Sequence, residues 1–306
     1  MAVTLGIDLG TQATKVLIYD SDQRQILASE SAPLNLYQDA NGTAEQQTHW
    51  WTTAITEALA KIPTNIRQSI QALAVSGQQH GFVPLDEDGN SLAPVKLWCD
   101  TSTETECQQI TEAMGGSEAL FSTAGNPILV GYTASKVLNF RKNHPKSYAR
   151  LHTILLPHDY VNFWLTGVRC MEAGDASGTG FMDVRSRHWS EEVLRVIDPN
   201  QNLQDFLPDI GVDNTFIGEV SGATAGLLGI PAGTPVAIGG GDNMMGAIGT
   251  GNLSNGRTTI SLGTSGTVYA HSPVPIIDNH GHIAAFCSST GGWLPLLCTM
   301  NCTVTT

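Results

Sequence analysis

An α/β protein whose two related domains face a shared cleft is what this 306-residue chain predicts, on three observations. The length exceeds the usual size of one domain. Leu9-Gly10-Thr11 recurs as Leu262-Gly263-Thr264, each time between two strand-like runs, so that two related hairpins are expected. Between them Pro235-Val236-Ala237-Ile238 reads as a strand, Gly239-Gly240-Gly241 as a turn and Asp242 onward as a helix start.

Taken in order, Val3 to Asp8 alternates as a strand, Gly10 to Thr14 is a polar turn, and Lys15 to Asp20 is a second strand, closing a hairpin. Gln25 to Ser29 adds a third meander strand. From Thr48 to Ala60, Trp50, Trp51, Ile55 and Leu59 recur at helical spacing and predict an amphipathic helix whose tryptophans pack. Ile70 to Ser76 is a buried strand ending in Gly77-Gln78-Gln79-His80-Gly81, and Phe82 to Leu85 with the turn Asp86 to Asn90 predicts another hairpin. Val95 to Asp100 reads as a strand. The section from about 107 to 207 reads as mostly helical, with Asp159 as the N-cap of a helix that stops at Gly167. Glu172 to Thr179 is a polar turn without an assigned role. Arg257 to Leu262 and Thr267 to Ala270 form the second hairpin.

Composition narrows the partners. A formal net charge of -13 and no basic stretch interleaved with aromatics exclude a general nucleic-acid or anionic-membrane surface, so an anionic ligand needs a local cradle. The N-terminus lacks a charged n-region and an apolar h-region, and no run of about 18 apolar residues occurs, which predicts a cytoplasmic protein. The six Cys are scattered without a CxxC pair and are read as reduced thiols.

The chemistry concentrates at a few places. Three glycines accept backbone angles closed to other residues and leave room for a small molecule, and a helix N-terminus favours negative charge. Asp242 is therefore read as a catalytic base, against the plainer reading of a helix cap. In the first hairpin, turn amides form a concave nest for anions. Thr11 and Thr14 add hydroxyls, Lys15 a cation, and Asp8 an oxygen ligand able to hold Mg²⁺ through water. An ordinary hairpin turn is the alternative. Gln79 and His80 suit a polyhydroxyl ligand, since a neutral imidazole has one donor and one acceptor nitrogen; a structural His is the alternative. Trp98 and Asp100 are candidates to flank the same pocket, with a helix N-cap as the equal alternative for Asp100.

Gly6-Ile7-Asp8-Leu9-Gly10-Thr11, Gly77-Gln78-Gln79-His80-Gly81, Leu156-Pro157-His158-Asp159-Tyr160, Gly239-Gly240-Gly241-Asp242-Asn243 and Ser261-Leu262-Gly263-Thr264-Ser265-Gly266 stand in the order found in the FGGY carbohydrate kinases, and over nearly its whole length the chain resembles that family. The resemblance implies a ribonuclease H-like, actin-type ATPase fold, with residues 1–234 as a sugar-binding domain and 235–306 as the start of an incomplete nucleotide-binding domain. It implies phosphorylation of a ketose by ATP with Mg²⁺, D-xylulose to D-xylulose 5-phosphate foremost. By the same resemblance Asp242 deprotonates the sugar hydroxyl, and Gln79, His80 and Asn243 contact substrate. Asp8 stands near the metal ion and the transferring phosphate. Gly10, Thr11 and Lys15 form the first phosphate loop and Gly263, Thr264 and Ser265 the second. Gln79 replaces the Met of many bacterial xylulose-specific members, and Trp98-Cys99-Asp100-Thr101 departs from the common Trp-Asn-Asp-Gly. Ribulose, another ketose or a polyol therefore stays open as the sugar, as do a non-catalytic sugar-binding role and a homodimer. The family's later adenine-binding stretch is missing, which predicts a chain that binds sugar but turns over poorly.

Overall fold

The computed structural model describes residues 2–211, 216–262 and 266–299. Val3–Leu9, Ala13–Asp20 and Gln25–Pro33 form an antiparallel meander. Ala72–Gly77 lies parallel to Val3–Leu9, Pro235–Gly241 lies parallel to Ala72–Gly77, and Phe216–Glu219 closes the edge of this six-stranded sheet. Parallel neighbours need long crossovers, and the chain between Ala72–Gly77 and Pro235–Gly241 supplies one that carries most of the helices.

Alternation decides the faces. Along the first strand Val3, Leu5, Ile7 and Leu9 are buried, while Thr4, Gly6 and Asp8 take the opposite, more open face. The helix Thr48–Ala60 has the bounds its periodicity predicts and buries Trp51, Ile55 and Leu59 against the sheet. Each such side chain contributes about 1.5–3 kcal/mol relative to an exposed one. Trp51 is also fixed by its Nε1–H, which donates to Gln46 Oε1 at 2.9 Å. A second core gathers Ile110, Val137, Phe140, Phe181 and Ile197 from the helical section, with Glu104–Ala113, Thr133–Asn143 and Glu191–Ile197 as its walls.

A four-stranded antiparallel sheet follows, ordered Thr258–Leu262, Gly266–Ala270, Trp293–Thr299, Ala284–Cys287. It is tied to the rest by the Cys287 N–H, which donates to Ser177 Oγ at 3.0 Å, and by the Ala285 N–H, which donates to Asn126 Oδ1 at 2.7 Å. Tyr132, Met244, Tyr269, Phe286 and Leu296 make the apolar cluster that joins the two halves.

Several local expectations change in three dimensions. Val83–Leu85 folds back through the turn Asp86 to Asn90, with Leu85 bridged to Ser91 and the Leu92 N–H donating to the Pro84 carbonyl at 2.9 Å, and its other edge pairs with Thr153–Leu155. The strand at 95 is two residues long, Val95–Lys96, and Asp100 is buried beyond it, where its carboxylate accepts from the Ala44 and Ser102 N–H groups. Asp159 is the third residue of the helix Pro157–Thr166 rather than its N-cap, and it caps the helix from within, its Oδ2 accepting from the Leu156 N–H at 3.2 Å. The strand Pro235–Gly241, placed by the sequence at the head of the second domain, is hydrogen-bonded into the first sheet. No described helix is long and apolar enough to cross a membrane, and Cys99, Cys107, Cys170 and Cys298 are free thiols.

Candidate active site

The end of Pro235–Gly241 delivers Asp242 to a cavity of about 860 Å³ between the two sheets. Asp242 is the first residue of the helix Asp242–Gly249, where unpaired backbone N–H groups favour a carboxylate. Its Oδ1 accepts from the Asn243 backbone N–H at 2.7 Å and from Asn243 Nδ2 at 3.0 Å.

The glycines before it serve the protein more than a ligand. A Cβ on Gly239, which sits at φ +66, would meet the Val75 carbonyl oxygen at 2.0 Å; one on Gly240 would meet Ser289 Oγ at 2.7 Å, and one on Gly241 would meet Gln79 Cγ at 2.7 Å. Close packing against Val75, Ser289 and Gln79 is what excludes side chains here.

Asp242 is open to the cleft, yet protein surrounds it on the remaining sides. That desolvation pushes its carboxyl up to about 7, with the Asn243 N–H opposing and the negative charges of Asp175 and Asp8 adding. Because cleft water reaches the group, the upward direction is what the chemistry uses: a carboxylate that takes a proton more readily than an ordinary aspartate.

Gln79 and His80 line the same cavity as Asp242 and Asn243. Gln79 Oε1 accepts from Asn243 Nδ2 at 2.9 Å, and its Nε2 is buried without a protein partner. Thr267 of the second sheet donates from Oγ1 to Asn243 Oδ1 at 3.2 Å, so Asn243 links both halves at the base of the cavity. Trp98 also lines it, and its Nε1–H donates to Thr11 Oγ1 at 3.0 Å. The aromatic wall of Tyr132 and Phe286 was not singled out from the sequence, since nothing in their local pattern marks a cavity lining.

The first turn is placed differently from its expectation. Thr11 Oγ1 already donates to Gln78 Oε1 at 3.1 Å while accepting from Trp98, and Thr14 is buried in the core, so neither hydroxyl is free for an anion. The Gly10 N–H closes the turn on the Ala13 carbonyl at 3.2 Å. Lys15 is exposed and stands cross-strand from Asp8, which places the two side chains on one face of the sheet. Asp8 Oδ1 accepts from Ser76 Oγ at 3.2 Å. No group of three or more His, Cys, Asp or Glu forms a metal cage among the described residues. A lone carboxylate at a strand end instead suits Mg²⁺ held mainly by phosphate and water. Gly263, Thr264 and Ser265 lie outside the described residues.

Against known proteins, the FGGY family of carbohydrate kinases, N-terminal domain, matches residues 3–249. A xylulose kinase of Haemophilus influenzae is 44% identical over 306 residues, 98% of this chain and 62% of its own length. A xylulose kinase of Streptomyces coelicolor is 35% identical over 304 residues, 99% of this chain and 61% of its own length. Among solved structures, a "xyloylose kinase" from Brucella ovis superposes with a TM-score of 0.90 at 28% identity, covering 98% of this chain and 61% of that one. The chain thus spans about three fifths of the relatives it matches.

Proposed function

Because the chain belongs to the FGGY family of carbohydrate kinases, with the actin-type α/β fold of that family, we propose that it serves ATP-dependent phosphorylation of a ketose, D-xylulose to D-xylulose 5-phosphate. The observation that carries this reading is Asp242, proton-hungry and held by Asn243 at the floor of a cavity whose neighbouring polar groups, Gln79 and His80, suit sugar hydroxyls. The names of the relatives support xylulose as the sugar.

In this reading Asp242 accepts the proton of a sugar hydroxyl as that oxygen bonds to the terminal phosphorus of ATP. The phosphorus–oxygen bond to ADP breaks, and ADP leaves with the electron pair. Asn243 keeps the carboxylate aimed while Gln79 and His80 orient the sugar, so the two reactants meet at a fixed angle. Asp8 is the residue that would hold Mg²⁺, whose charge screens the phosphates. Gly10 and Lys15, with Gly263, Thr264 and Ser265, are proposed to face the phosphates. Thr11 is proposed to support the turn through Trp98 and Gln78 instead. The sheet pairing of Pro235–Gly241 and the family match to residue 249 support a domain division after the helix Asp242–Gly249.

Calorimetric titration with D-xylulose, D-ribulose and glycerol, paired with ADP release under MgATP, tests the proposal. Tightest binding of D-xylulose, abolished by no other single change as strongly as by changes at Gln79 and His80, is the expected result. A chain that binds none of the three sugars overturns it.

A further inference from the structure

The polar turn Glu172 to Thr179 sits directly behind His80. Every residue from Met171 to Phe181 is buried. Glu172 fixes the backbone there, accepting from the Gly174 N–H at 2.7 Å and the Asp175 N–H at 3.0 Å. Asp175, fully buried, then stands between two imidazoles. Its Oδ1 accepts from the His80 backbone N–H at 3.2 Å and lies 3.6 Å from His80 Nδ1; its Oδ2 lies 3.1 Å from His158 Nδ1. On its far side His158 Nε2 is 3.0 Å from Asp159 Oδ1. The groups form one chain, Asp159, His158, Asp175, His80, and its last member lines the cavity.

His80 itself is held under strain. Its φ is +61, a region that a residue with a Cβ rarely takes unless the surroundings impose it. The imposing groups are visible: Asp175 holds the N–H, while Lys136 Nζ at 2.8 Å and Thr133 Oγ1 at 3.1 Å donate to the carbonyl. The ring is pressed on Gly178, where a Cβ would come within 1.8 Å of His80 Cε1. His80 Nδ1 is buried without a hydrogen-bond partner, and the Asp175 carboxylate, 3.6 Å away, acts on it through its charge.

The charges agree with this geometry. For Asp175, burial acts upward but is outweighed by the two histidines, and its carboxyl is held down at about 2. His158, lowered by burial but raised more by its acidic neighbours, reaches about 9. Burial drives Asp159 upward even with His158 beside it, so Asp175 carries the negative charge that His158 answers. Burial lowers His80, with Asp175 opposing and the Lys136 charge assisting, which keeps the ring neutral.

We propose that Asp175 is a positioning residue for carbohydrate recognition: seated on His158, it holds the His80 backbone and fixes the ring proton on Nδ1, so that Nε2 faces the cavity as an acceptor for a sugar hydroxyl. This rests on the reading of the cavity as a sugar site. Gly178 completes the seat by leaving room for Cε1 and Nδ1 of the ring.

The test is ¹⁵N-histidine NMR of the chain, with His80 assigned through His80→Gln, followed during titration with D-xylulose. The unsubstituted protein should show Nδ1 protonated, Nε2 bare, and Nε2 moving as sugar binds. Asp175→Asn should mix the tautomers and raise the xylulose Kd roughly tenfold, the scale of one lost hydrogen bond. Gly178→Ala, which leaves the Asp175–His158 pair intact, should also weaken binding by displacing the ring. A His80 protonated on Nε2 in the unsubstituted protein, or tautomer and Kd unchanged in Asp175→Asn, overturns the proposal. If Asp175→Asn shifts the tautomer but xylulose never moves His80, the sugar site itself fails while the Asp175–His80 coupling stands.

Discussion

Asn243 Nδ2 donates to Gln79 Oε1 across 2.9 Å, joining two residues 164 positions apart in sequence. The same nitrogen reaches Asp242 Oδ1 at 3.0 Å, so one amide sets the spacing between the proposed base and the strand end that carries Gln79 and His80. Asn243→Ala should therefore loosen both together. The expected outcome is a roughly tenfold weaker D-xylulose affinity, the magnitude of one neutral hydrogen bond left unmade. Calorimetry that returns the unsubstituted Kd would show that this amide does not shape the cavity.

In a form that spans the full length of the family's members, Asp242→Ala should cut turnover far more than it weakens binding, because a general base acts mainly in the transition state. The expected loss in ADP release is about 10²- to 10⁴-fold, with the sugar Kd changed only slightly. Near-normal turnover in the variant would remove Asp242 from the mechanism.

The pH profile follows from the raised carboxyl. A base works when ionised, and the ionised fraction of Asp242 falls as pH drops through about 7, so kcat/KM should show an acid limb there rather than in the usual aspartate range. Asp175 contributes a like charge that holds the proton on Asp242. Asp175→Asn should move the limb to lower pH, and a limb that stays in place would refute the charge coupling.

Stability carries its own pH signature at His158. Its folded value is raised from 6.5 to about 9, so the native state binds the extra proton and the stabilisation is fully present below 6.5 and lost as pH rises through 9. His158→Gln should flatten that decline and leave Asp175 buried without its cation, at a cost of about 3–5 kcal/mol. Urea unfolding at pH 6 and pH 9 reads both effects; parallel curves for the two proteins would contradict the linkage.

Gly239→Ala should destabilise by more than about 1 kcal/mol, since a Cβ is strained at positive φ. At φ +66 it would also strike the Val75 carbonyl at 2.0 Å. A thermal melt unchanged from the parent would show that the strand end yields more than its packing implies.

Local pattern by itself determined much of this protein. Alternation marked strands at 3–8 and 15–20, which the fold extends to Val3–Leu9 and Ala13–Asp20, helical spacing gave Thr48–Ala60, and a carboxylate after three glycines marked Asp242, because period and turn chemistry are properties of a few adjacent residues. Tertiary structure alone decided the rest. Gln79 meets Asn243, His80 leans on Asp175 and Gly178, and Pro235–Gly241 joins the first sheet. Gly239 to Gly241 were legible as glycines needing space, but what fills that space is Val75, Ser289 and Gln79, brought there by the tertiary fold. Likewise Glu172 to Thr179 is only a polar turn until folding buries it and sets Asp175 between His80 and His158. Such contacts span many tens of residues, and they are selected by which surfaces bury one another and which buried charges find partners, conditions that no short window of sequence contains.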